Sequence, residues 1–178
     1  MAKFKEISKS ELREIIVSEL SLNWKLFIVE LAQKNPEIVA QLWHWVTTAK
    51  DPLCWRSGWI FEEICVQDIT VRNQYLPLIA ELYPKLTNQS LKRMLGKILT
   101  ISEIPEANES NILDAAFRWL HDPDEPPAVR VHAMQIAFNL TKKYPELKNE
   151  LKATLEHLYD TGSKGFKNRS AKLLSKLS

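Results

Sequence analysis

Four arginines stand at near-equal intervals, Arg56, Arg93, Arg130 and Arg169, separated by 37, 37 and 39 residues. Each opens a similar phrase: RSGWIFEEI, RMLGKILTI, RVHAMQIAF and RSAKLLSKL. Eight residues after each arginine comes Ile64, Ile101, Phe138 or Leu177, and a small residue, Gly58, Gly96, Ala133 or Ala171, follows it by two or three. This period constrains the fold more than any other feature. A unit of this length cannot bury its apolar face alone, so neighbouring units must stack to make a core.

The units read as helical. The chain has only 4 glycines. It lacks both alternating β-branched runs and the Asn-Gly or Asp-Gly signals of hairpins. Helical periodicity runs nearly throughout. A second phrase follows the first in some copies: KNPEIVAQLWHWV from Lys34 resembles KYPELKNELKATL from Lys143. Proline suits the first turn of a helix, where its missing N–H is not needed. Each unit is therefore helix A, a short turn and helix B.

The spacing predicts a leading helix over 8–20, opened by a capping box at Ser8 to Glu11. Repeats follow at about 21–50, 51–87, 88–122 and 123–160, with a closing helix over 164–177. Asp51-Pro52, Asn88-Gln89-Ser90, Asp122-Pro123 and Thr161-Gly162-Ser163 punctuate them. The expectation is one all-α domain, 1–178.

Composition excludes some classes. Hydrophobic content of 45% and charged content of 26% are those of an ordinary globular chain. A net charge of +2 does not by itself imply nucleic acid. No apolar run approaches the roughly 20 residues of a membrane span, and the charged start MAKFKEISKSELREII has no signal-peptide core. On one helix, Cys54 and Cys65 would lie about 16 Å apart, too far for a disulfide. Buried thiols and a cytoplasmic location are expected.

The spacing of Asp124, Val129, Arg130 and Ala133 resembles the HEAT repeat, with Asp51–Arg56 and Asn88–Arg93 as weaker copies. The resemblance implies a right-handed α-α superhelix, a solenoid of about four to five helical hairpins whose B helices line a concave face. Such proteins are mostly scaffolds that bind proteins; some bind nucleic acid, and the related DNA alkylation repeat glycosylases remove damaged bases. It also implies a structural ladder in which Arg56, Arg93 and Arg130 bond aspartates of neighbouring turns such as Asp51 and Asp124. The alternative is a row of cations suited to phosphates.

Six tryptophans raise the question of surface against core. Trp24, Trp55 and Trp59 fall at apolar positions of A helices and read as core. Trp43, His44 and Trp45 on the first B helix, with Arg118 and Trp119 on the third, are the candidate binding residues, because large aromatics dominate binding hot spots. Asp114, Phe117, Arg118 and Trp119 offer the residue types a base-excision site would need. No two of His44, His121, His132 and His157 stand three or four apart, so there is no zinc pattern. No phosphate-cradling or esterase motif occurs.

Charge is uneven. From Ile101 to Glu125 seven acids face one base, whereas Thr161 to Ser178 carries five bases and no acid. This is either a solvated closing helix or a dock for an acidic partner. The expected function is a non-catalytic scaffold for a protein or peptide, without cofactor, metal or membrane. The alternatives are a nucleic-acid binder or alkylation-repeat-like glycosylase, and self-association through the array's ends.

Overall fold

The computed structural model describes residues 7–18 and 21–177. Regular structure among them is helical: α1 (Lys9–Ser18), α2 (Leu22–Lys34), α3 (Pro36–Thr48), α4 (Leu53–Gln67), α5 (Ile69–Leu82), a 3-10 turn (Tyr83–Lys85), α6 (Gln89–Thr100), α7 (Glu106–His121), α8 (Pro127–Leu140), α9 (Leu147–Tyr159) and α10 (Lys164–Leu177). They form two compact units, divided between Val71 and Arg72, inside α5.

Helix starts are set by local chemistry. The Ser8–Glu11 capping box is formed: Ser8 N–H donates to Glu11 Oε2 at 2.9 Å, and Glu11 N–H donates to Ser8 Oγ at 3.2 Å. Positions 19 and 20 of the expected leading helix lie outside the described residues. Ser21, Asn35, Asp68 and Asn88 accept from the first-turn N–H groups of α2, α3, α5 and α6. Pro36 opens α3, whereas Pro145 stands two residues before α9.

In the N-terminal unit α4 is the central helix, packed by α1, α2 and α3. Ile60, Phe61, Ile64 and Cys65 of α4 are buried against Leu12 and Ile16 of α1, Ile28 and Val29 of α2, and Leu42 and Val46 of α3. Cys54 and Cys65 are buried, and burial followed by the charge of Asp51 raises the Cys54 pKa.

In the C-terminal unit α8 holds the corresponding place, packed by α6, α7, α9 and α10. Val129, Ala133, Met134, Ile136 and Ala137 are buried on it. One small residue of the repeat marks a close approach. A Cβ on Gly96 would lie 2.7 Å from Tyr83 Oη and 3.2 Å from His132 Cβ, so only glycine fits under both.

Two of the repeated arginines have partners other than those expected. Arg56 Nη1 donates to the carbonyls of Ile16 and Val17 at 3.0 and 2.6 Å, in the last turn of α1. Arg130 Nε donates to Leu120 O at 3.1 Å, at the end of α7, with its guanidinium over Phe166 at 4.7 Å. At both positions the partner is a helix carboxy-terminus and not an aspartate. The reason is general: the last carbonyls of a helix have no intrahelical donor and carry the negative end of its dipole. Asp124 is exposed, and its N–H donates to Asp122 Oδ1. Asp51 is exposed and Arg93 half-buried.

Lys92 of α6 and Glu125 form an ion pair at 8% and 6% side-chain exposure, with Lys92 Nζ 4.8 Å from the Trp119 ring centroid. Breaking one side of such a pair strands a charge in the core. Lys92→Met is expected to cost about 3–5 kcal/mol in urea unfolding, and Lys92→Met/Glu125→Leu to recover most of it. A single-variant loss below about 1 kcal/mol would show that the pair is solvated.

Candidate partner-binding groove

Helix α2 is apolar around most, though not all, of its circumference. Leu22, Trp24, Leu26, Phe27, Ile28, Val29, Leu31 and Ala32 make up eight of its 13 positions. An amphipathic helix needs one apolar stripe; here only Asn23, Glu30 and Lys34 form a polar one, and an apolar arc this wide expects cover beyond its inner side. Ile28, Val29 and Ala32 are buried, whereas Leu22, Trp24, Leu26 and Phe27 are 59, 37, 45 and 41% exposed. Two of them pack on each other, the Trp24 and Phe27 rings meeting edge to face at 5.4 Å.

The Trp24–Phe27 side forms one wall of a groove of about 900 Å³ between α1 and α2, which Leu22 and Leu26 do not line. From α2 come Trp24, Phe27 and Leu31, a single i, i+3, i+7 stripe. From α1 and the residue before its cap come Ile7, Glu11, Ile15 and Ser18, an i, i+4, i+8, i+11 stripe, with Glu14, Arg13 and Val17 beside them. The floor is apolar, and the charges stand on the α1 wall. Beneath it Lys25, 6% exposed, reaches back to Glu63 at 2.5 Å and lies over Trp59 at 4.7 Å. This cation is therefore turned inward, while Asn23, Glu30 and Lys34 form an exposed polar stripe on the same helix.

The residues singled out from the sequence are placed differently. Trp45 and Trp119 are 5 and 3% exposed, so neither offers surface to a partner. Trp45 belongs to the buried stripe of α3; Trp119 is covered by Tyr83, edge to face at 4.8 Å, and by Lys92. Trp43 is half-buried with its ring 5.2 Å from Phe61, and His44 beside it is exposed. Arg118 is exposed and donates to Pro84 O at 3.1 Å. Trp43 and His44 lie in the N-terminal unit, Arg118 and Trp119 in the C-terminal one. Trp24, read as core, is the exposed tryptophan, whereas Trp55 and Trp59 are half-buried. The available signal was the apolar-rich run LNWKLFIVELA, with eight apolar residues in eleven.

Two other features belong to the C-terminal unit. Asp114, Arg118, Asn108 and Asn111 line a polar cleft of about 370 Å³. Glu109, 8% exposed, accepts from Tyr144 Oη at 2.6 Å and from Lys143 Nζ at 3.0 Å. That contact fastens α7 to the turn before α9 and raises the pKa of Lys143. Among the described residues no group of three or more His, Cys, Asp or Glu is placed to hold a metal ion, and no helix is long and apolar enough to cross a membrane.

Helices packed on their neighbours in chain order define an all-α helical-repeat protein. The chain belongs to the HEAT repeat family: the family's HEAT repeat domain matches residues 13–177. HEAT repeats generally serve as scaffolds for protein interactions. No curated protein and no solved structure matches the chain.

His132 of α8 supplies a pH dependence. Burial, then Arg93 and Lys97 of α6 and Arg169 of α10, lower its pKa from 6.5 to about 4. The unfolded chain therefore binds a proton at a pH where the folded one does not. Stability is full above pH 6.5 and is lost as pH falls toward 4, by up to about 3 kcal/mol. Urea unfolding of wild type and His132→Gln across that window checks this: the variant should lose the part of the slope that His132 contributes. Equal slopes would place His132 in water.

Proposed function

We propose that the protein is a non-catalytic scaffold that binds a protein or peptide through the α1–α2 groove. The observation that carries this reading is the open apolar side of α2, with Trp24 and Phe27 over a groove of about 900 Å³. Contiguous exposed apolar surface of this kind marks interaction sites in folded proteins. Trp24 has the size and the polar indole edge of a hot-spot anchor. Membership in a family of scaffolds supports the same reading. The buried thiols Cys54 and Cys65 fit a cytoplasmic setting, where they stay reduced.

A nucleic-acid role has the basic α10 in its favour, where Lys164, Lys172 and Lys176 are exposed. The base-excision form of it is weaker. Of the aromatics it would use for stacking, Trp119 is buried under Tyr83 and Phe117 is half-buried.

Phe27→Asp tests the scaffold reading, since it charges the groove at a side chain already 41% exposed. Proteins captured by the wild type from extract, and identified by mass spectrometry, should be lost from the variant at least tenfold. The melting temperature should move by no more than a few degrees. An unchanged captured set would put binding elsewhere.

A further inference from the structure

Resting on the protein-binding reading, we propose that the occupant of the α1–α2 groove is an amphipathic helix of a partner protein, about three turns long, with a cationic flank. Three observations identify it.

The first is the lining. An extended peptide brings unpaired backbone N–H and C=O groups, and each needs a partner when buried. The groove is walled by two helices whose backbones bond internally, and its floor is Ile15, Trp24, Phe27 and Leu31. Such a floor suits an occupant that satisfies its own backbone, which is a helix.

The second is the shape. The two lining stripes run at helical spacing along α1 and α2, so a helix laid between them meets side chains at i, i+3 and i+7 of α2 and at i, i+4 and i+8 of α1. Ile7 to Ser18 spans 11 residues, about 16 Å at 1.5 Å per residue, which is three turns.

The third is charge. Glu11 and Glu14 stand on the α1 wall against the single base Arg13. Glu14 is exposed, so a lysine or arginine flanking the partner's apolar stripe meets it without competing for a capping contact. The same asymmetry disfavours a second copy of this chain. An isologous contact sets a patch against itself, so two α1 walls would bring acids toward acids.

The test uses the full chain and three synthetic 14-residue peptides. One carries leucines at i, i+3, i+4 and i+7 with lysines elsewhere. The second has the same leucines with glutamates, and the third is a scramble of the first without a stripe. Binding is read by calorimetry and by amide chemical shifts, and the chain's own association by sedimentation. The lysine peptide should bind at least tenfold more tightly than either other peptide, with shifts confined to α1 and α2. Phe27→Asp and Trp24→Gln should each weaken it tenfold or more, and Glu14→Lys should reduce its advantage over the glutamate peptide. Equal binding of the lysine and glutamate peptides overturns the cationic flank, as equal binding of the scramble overturns the helix. A stable dimer that Phe27→Asp dissociates makes a second copy the occupant. Each of these leaves the scaffold reading standing, because that reading fails only if captured proteins ignore Phe27→Asp.

Discussion

Burial of a central helix on several sides is the constraint on which the rest of each unit depends. Helices α4 and α8 carry apolar side chains around most of their circumference and are covered by three and four neighbours. At roughly 25 cal/mol per Å² of apolar surface, this cover is the main favourable term available to a helical chain. Arg56 and Arg130 enter these helices one turn from the start and reach carbonyls at the ends of α1 and α7. The cation that would be costly in a core thereby completes a helix end that would otherwise be unpaired.

The same logic makes α2 the exception. Its inner side obeys the rule, with Ile28, Val29 and Ala32 buried, while its outer side repeats the composition of a covered helix without the cover. The exposed Trp24–Phe27 pair lies on the groove side of this helix.

How much of this was legible in the sequence depends on which period carried it. The all-α architecture was, because helical periodicity is local, and one small residue of the repeat, Gly96 under Tyr83 and His132, does mark a close approach. The capping box at Ser8 and Glu11 was legible because it is local. The tryptophans were not. Trp45 and Trp119 look like Trp24 in an apolar run, and only the third dimension says which has a neighbour. The arginines' partners were also out of reach, since a backbone carbonyl has no sequence signature. The run LNWKLFIVELA did carry information about the groove, because its apolar arc is wider than one packed side can cover.

Hydroxyl-radical footprinting of the free protein, read residue by residue by mass spectrometry, tests the central claim most directly. The account predicts rapid oxidation of Trp24 and Phe27, 37 and 41% exposed, and slow oxidation of Trp45 and Trp119, 5 and 3% exposed. Protection of Trp24, or oxidation of Trp119 at a matching rate, would contradict it.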